Sequence, residues 1–419
     1  MSRHLDNWLN AYHKKGEIMS RHLENWHDSY IELNDNTEPA KLFDSWVGYS
    51  VIAAALRRKV SLQLGRLIYF PNLYVVLVAD PGIARKTQAI KYGVNFLNTI
   101  PEIITCADSS TKEAMTDDIE NSALDELLED GTALRHSSLN IISKEFESFL
   151  GQKKENTRML TALTDLFDCP DDWSSRTRHG PSNKIIRPWI NLLAATTPDS
   201  LASSLPASAI GGGLTSRILF VWADKKKKSV AIPDMTASEI KLSEKLEKDL
   251  YQISRISGEY IMTAGCKSNW VDWYNAYDED EGGTRLCTDK SFSGWYSRKP
   301  TYIIKLALLR AAATSQILTI QWYHIEEAIK AIKEVELTMG SAFKAIGKSD
   351  ITAEVDSVLQ IITNFQWISE KQLMTIIWRD IDASKFENVI DTLIKTGQVT
   401  RKFKGRKGEK GIWYTYSGK

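Results

Sequence analysis

The stretch Leu77-Val-Ala-Asp-Pro-Gly-Ile-Ala-Arg-Lys-Thr87 decides how this chain is read. It continues an apolar run at 73–78, rich in Val and Leu, with the pattern of a strand buried on both faces. It leads into residues 88–97, which read as a helix. A strand, a Gly-containing turn and Lys-Thr opening a helix make a phosphate cradle. Backbone N–H groups and the helix N-terminus face the anion, Lys86 reaches the β/γ oxygens, and Thr87 can hold Mg2+. Pro81, Gly82 and Arg85 form the turn between them. The spacing departs from G-x-x-x-x-G-K-[ST], because Asp80 takes the first Gly position and Arg85 the second. The plainer alternative is a strand-turn-helix with a surface Arg-Lys.

Four segments downstream add chemistry. Ser138-Leu-Asn-Ile-Ile-Ser-Lys-Glu-Phe146 reads as a strand, 139–143, running into Lys144-Glu145. A nucleotide hydrolase needs a carboxylate there, on the strand expected beside the phosphate-loop strand, to polarise water or hold the metal. Glu145 is the candidate base and metal ligand, with Glu147 a second; a strand that simply ends in solvated charge is the alternative. Ile190-Asn-Leu-Leu-Ala-Ala-Thr-Thr-Pro198 is an apolar strand ending in a polar pair. Thr197 can sense a γ-phosphate there, and a structural Thr-Pro terminus fits equally well. Gly211-Gly-Gly-Leu-Thr-Ser-Arg217 leads a flexible triglycine into a strand at 218–222. Arg217 fits an arginine offered to a neighbour's phosphate, or a structural arginine paired with a local acid. Between them, residues 173–187 read as a hairpin turning at 180–183, with Arg176, Arg178, His179 and Lys184 and no acid. Such a hairpin suits a nucleic-acid backbone, or is simply solvated.

With a further strand near 103–106, the alternation of helices and apolar strands argues an α/β fold with a parallel sheet. Residues 236–346 read as mostly helical, and 350–419 as a separate unit of three helices (351–363, 369–378, 383–396) followed by strands at 399–403 and 412–416. Three helices and a basic hairpin make the winged-helix pattern. Residues 398–419 carry seven Lys/Arg against one Glu. Residues 112–130 carry eight Asp/Glu against one Lys and read as a solvated helix face.

The whole chain of 419 residues balances 53 Lys+Arg against 53 Asp+Glu, which excludes a wholly basic nucleic-acid coat and an acidic disordered chain. No apolar run approaches the length of a membrane span. The four cysteines lie far apart, without CxxC pairs, so a zinc or disulfide framework is not expected and the chain reads as cytoplasmic. The N-terminus holds a repeat: Met1-Ser-Arg-His-Leu-Asp-Asn-Trp8 recurs as Met19-Ser-Arg-His-Leu-Glu-Asn-Trp26. It reads as a recent duplication or an alternative start, too short for a solenoid.

In this order, the five segments resemble the AAA+ ATPase modules of replication helicases and primase-helicases from phages, plasmids and other mobile elements. These are related in architecture to the minichromosome maintenance and viral initiator helicases. The likeness extends upstream through Glu38-Pro39, Trp46, Ala53-Ala-Ala-Leu-Arg-Arg58 and Tyr69-Phe-Pro-Asn-Leu-Tyr74, and downstream to Gly294-Trp-Tyr-Ser-Arg-Lys-Pro-Thr-Tyr-Ile-Ile-Lys-Leu-Ala307, roughly residues 35–310. It implies a helical N-terminal segment (1–60), an AAA+ P-loop ATPase core (61–235), a helical lid (236–349) and a C-terminal winged helix (350–419). By position, Lys86 and Thr87 look like the Walker A pair, Glu145 like the Walker B glutamate and Thr197 like sensor 1. Arg217 looks like a trans-acting arginine finger, Arg298 like a sensor 2 arginine, and 176–184 like a pore hairpin gripping DNA. The implied protein is an ATP- and Mg2+-dependent DNA helicase or translocase, acting as a hexameric ring beside a separate primase or polymerase and not on a membrane. An ATP-switched initiator or scaffold without unwinding activity is the alternative. Lys402, Lys404, Arg406, Lys407 and Lys410 in the wing are expected on DNA phosphates, and helix 383–396 in a groove. Lys144 stands where the family carries a Mg2+-binding Asp, and Asp80 adds negative charge beside the phosphates; both act against ATP binding.

Overall fold

The computed structural model describes residues 21–106, 111–128, 131–151, 153–175, 183–205, 213–279, 292–342, 350–377, 383–404 and 410–417. The chain divides into two compact units, Met1–Phe343 and Lys344–Lys419.

The first unit is built on a mostly parallel sheet. Its strands are β1 (Tyr74–Val78), β2 (Thr105–Cys106), β3 (Ala133–Ser143), β4 (Pro188–Thr196) and β5 (Leu219–Trp222). They lie in the order β5-β1-β4-β3-β2, all parallel, and Ala123–Leu127 pairs antiparallel on β3. The five expected strands therefore form one sheet. Every residue of β1 and β4 is buried, as a strand with helices on both faces requires. The acidic stretch is not one helix: Lys112–Asn121 is helical, and Ala123–Leu127 turns back as a strand. Backbone pairing of Ala123–Leu127 with residues 133–137 of β3 satisfies a strand edge that a longer helix would leave open.

Three helices near the N-terminus frame the sheet: α1 (Trp26–Leu33), α2 (Lys41–Leu56) and α3 (Lys86–Leu97). From Trp46 to Leu56 every residue of α2 is buried, so it is an internal helix, apolar all round. The expected division at 60/61 is bridged. Arg57, just after α2, donates to Glu126 (2.8 Å), and Arg58 donates to Pro188 O (2.9 Å) at the start of β4. The division at 235/236 is bridged too, because Val60–Leu64 pairs in parallel with Gly258–Met262 in a second, four-stranded sheet. Two short strands, Gly258–Met262 and Thr319–Ile320, interrupt the otherwise helical part of 236–346 that is described, and pair with each other in parallel. Among the described residues, no helix is long and apolar enough to cross a membrane.

The second unit runs helix Asp350–Phe365, strand Trp367–Ser369, helices Glu370–Ile377 and Ala383–Lys395, then strands Val399–Lys404 and Lys410–Tyr416. The three strands form one antiparallel sheet with Lys410–Tyr416 in the middle. The third strand is the part the sequence did not announce, being only Trp367–Ser369, whose last residue also caps the next helix, its Oγ accepting the Gln372 N–H. Its own core includes Val358, Ile362, Leu373, Val389, Ile390, Leu393 and Tyr414.

Helices α2 and α3 approach closely at Gly93. A Cβ there would lie 2.3 Å from Val47 Cγ1 and 3.1 Å from Val51 Cγ2. Alanine raises helix propensity by about 1 kcal/mol, while forcing a methyl into a packed contact costs about 1–3 kcal/mol. At 2.3 Å the clash is severe, so Gly93→Ala is expected to lower the stability of the first unit in urea denaturation. A stabilised variant contradicts this packing.

Candidate functional site

The turn after β1 carries the sequence's strongest motif. Val78 ends the strand, Gly82 takes φ +72°, and α3 starts at Lys86. The first N–H groups of α3 lack intrahelical acceptors, which makes this end a seat for negative charge. Lys86 is half-buried. Its Nζ donates to Ala79 O (2.6 Å) and, more weakly, to Asp80 O (3.3 Å), so the ammonium bends over the mouth of the turn. Burial lowers its pKa from the ordinary lysine value. Thr87 is exposed in the first turn, and so are Asp80, Pro81 and Gly82.

Arg85 occupies the second Gly position of the motif and adopts the conformation glycine would supply, φ 57° and ψ 40°. A left-handed residue with a Cβ costs about 1–2 kcal/mol. Part of that cost is offset by Glu38, which accepts from Arg85 Nε at 2.8 Å. Glu38 also accepts from Lys226 (2.5 Å) and from the Val230 N–H (3.3 Å), and Ala40 N–H donates to Ala84 O (3.3 Å). The start of α2, the phosphate-type turn and the basic run after β5 thus share one carboxylate. These contacts, Lys226 foremost, hold the Glu38 pKa down at about 2.

Strand register sets the rest of this edge. Val78 is opposite Thr196, and Ser143 is opposite Ala194. Two residues further along, Glu145 stands level with Thr196 and Val78. It is on the same edge as Lys86, but not on the adjacent strand: β4 lies between β1 and β3. Two strand spacings separate Glu145 from the end of β1, about 10 Å. The gap is spanned by the Thr196-Thr197 end of β4. Glu145 is exposed and accepts from Ser148 Oγ (3.1 Å). Thr197 caps helix Pro198–Ser204, its Oγ1 accepting the Ser200 N–H at 3.1 Å. Glu147 accepts from Ser203 Oγ (3.2 Å).

Arg217 and Arg298 lie elsewhere. Leu219 pairs with Val75, so Arg217 precedes the start of β5, at the opposite end of the strands from Lys86. The offset along the strands is about 15–20 Å. Arg217 donates to Asp168 Oδ2 (3.0 Å) and Gly213 O (2.8 Å), and its buried Nε has no hydrogen-bond partner among the described residues. Arg298 reaches the same carboxylate at 4.0 Å and donates from Nε to Ser216 Oγ at 3.2 Å. Burial, then the Arg217 charge, lower the Arg298 pKa. Two guanidiniums therefore share one acid, and a positive charge is left over. A lid arginine serving its own chain's turn is not what this geometry provides, because α3 and Arg298 occupy opposite edges.

The basic hairpin exists: Asp172–Ser175 pairs with Asn183–Ile186. Its tip, with Arg176, Arg178 and His179, lies outside the described residues. Lys184 is on the described arm, 3.2 Å from Asp172, so the hairpin does carry one acid. In the second unit Lys402 is exposed, its ammonium 5.3 Å from the Trp367 ring centroid. Lys404 and Lys410 are register partners on the two strands, while Arg406 and Lys407 lie outside the described residues. Helix Ala383–Lys395 exposes Lys385, Glu387, Asn388, Asp391 and Lys395, a face without net positive charge.

Glu38 entered the sequence reading only as part of the resemblance, with no role, and Asp168 did not enter it. Their partners lie 47 and 49 residues away, beyond any local pattern. No protein-family model matches this chain, and no curated protein does.

Glu38 gives a pH signature. Its pKa is depressed in the folded state, from 4.5 to about 2. Its contribution to stability is complete above the unfolded value and is lost as pH falls through the folded one. The stability gap between wild type and Glu38→Gln is therefore expected to narrow between about pH 5 and about pH 2 in urea denaturation. A gap that stays constant contradicts the assignment.

Proposed function

We propose that this chain is an ATP-driven DNA translocase or helicase of the AAA+ kind, working as a ring of identical subunits in the replication of a mobile element. One observation carries the reading. Lys86, Thr87, Thr197 and Glu145 share one edge of the parallel sheet, while Arg217 and Arg298 share the other, with one acid between them. A single subunit cannot bring both sets to one nucleotide; two subunits packed edge to edge can.

In this reading the α3 N-terminus and Lys86 seat the triphosphate, Lys86 leaving the Ala79 and Asp80 carbonyls for it. Thr87 and Glu145 would hold Mg2+, which would supply charge to offset the phosphates, and Glu145 would accept the proton of the attacking water. Thr197, fixed as a helix cap, aims its hydroxyl at the γ-phosphate. The neighbour's Arg217 and Arg298 exchange Asp168 for the developing phosphate charge, where a guanidinium is worth several orders of magnitude in rate. The second unit, with helices followed by a hairpin, supports a winged-helix module; its net positive charge lies in the wing rather than on helix Ala383–Lys395. That distribution favours phosphate contact over base reading.

The second reading, an ATP-switched initiator or scaffold, is favoured by Lys144 beside the candidate base and by the exposed setting of Glu145. ATPase assays separate the two. The motor reading predicts turnover stimulated by single-stranded DNA at low salt and reduced about 100-fold or more by Lys86→Ala. ATP binding without stimulated turnover contradicts it and leaves the switch.

A further inference from the structure

The described part of the second repeat copy, from Arg21 on, packs on helices Ala237–Arg255 and Ser293–Thr314. Arg21 closes the end of helix Ser293–Thr314, donating to Ala312 O (2.5 Å), Ala313 O (2.9 Å) and Ser315 O (3.3 Å). The backbone N–H groups of His22 and Leu23 donate to the buried Asp249 carboxylate at 3.0 and 2.9 Å, and His22 Nδ1 lies 2.9 Å from it. Asn25 caps α1. Trp26 is fully buried, donates from Nε1 to Leu246 O (2.9 Å), and stacks on the buried Tyr30 with centroids 5.3 Å apart.

The first copy, which lies outside the described residues, repeats each of these residues at an offset of 18: Arg3, His4, Leu5, Asn7, Trp8 and Tyr12. Within the first eight positions the one difference is Asp6 for Glu24, and the Glu24 side chain is exposed. The copies diverge further on. Leu9 stands for His27, whose Nε2 lies 2.8 Å from Ser45 O, and Asn10 stands for Asp28, which meets Arg310 at 3.4 Å. Gly16 stands for the buried Asn34, which donates to Tyr30 O at 2.8 Å.

We infer that residues 3–12 are a second occupant of this groove and exchange with residues 21–30 of the same chain. The contacts at Leu246, Asp249 and the 312–315 helix end are reproduced. Those of His27, Asp28 and Asn34 are not, so the second copy holds the groove in the intact protein. With the first copy docked, residues 13–40 replace residues 31–40 as the connection to α2, and closure entropy rises only slowly with that length. The inference does not rest on the nucleotide reading.

Thermal melting of four chains tests it: wild type, Trp8→Ala, Trp26→Ala and the double variant. Trp8→Ala is expected to melt with wild type. The double variant is expected to melt at least about 3 °C below Trp26→Ala, because only there is no intact copy left. Equal losses for Trp26→Ala and the double variant overturn the exchange. Should Trp26→Ala leave no folded protein, Arg21→Ala and Arg3→Ala repeat the comparison on a less buried side chain. A photo-crosslinking aromatic at position 8, in the Trp26→Ala chain, is expected to link within the chain to the 246–249 peptide. A link between chains, or none, also overturns it.

Discussion

The parallel register of the central strands is the constraint on which the rest depends. Once Val78, Thr196 and Ser143 are fixed relative to one another, Lys86, Thr197 and Glu145 share one edge, whatever their side chains do in detail. The same register holds Arg217 at the far edge, because β5 runs beside β1 in the same direction. Parallel strands buried on both faces tolerate no slippage, since a one-residue shift would turn every core side chain over. The geometry of the candidate site is thus a consequence of core packing, chiefly the all-buried β1 and β4.

One of the described residues with strained backbone, Arg85, sits beside the site. Arg85 holds a left-handed conformation that a glycine would adopt freely, and Glu38 ties it to the start of α2 and to Lys226. The turn is therefore braced from outside itself by one carboxylate. A similar economy operates at the other edge, where Asp168 serves two arginines. In both places the acid lies far in sequence from the group it holds, and in both one carboxylate serves two cations.

Much of this was legible in the residues. The runs at 73–78, 139–143 and 190–195 have the composition of buried strands, and each became one. The Lys-Thr pair opens its helix where the motif requires. The order of strands was not legible, because periodicity says which face is buried and nothing about which neighbour pairs; hence Glu145 lies one strand further from the turn than expected. The acidic 112–130 stretch misled because its charges fit a helix face, and only the open edge of β3 selects a strand at Ala123–Leu127. Arg298 sits in a helix with no local sign of the edge it would occupy.

The central claim is that one nucleotide site needs two subunits, Lys86 from one and Arg217 from the next. Mixing Lys86→Ala with Arg217→Ala protein and assaying ATP hydrolysis tests it most directly. Each variant alone is predicted to be inactive, and the mixture to recover part of the wild-type rate through interfaces that retain both residues. A mixture as inactive as its components contradicts the shared site.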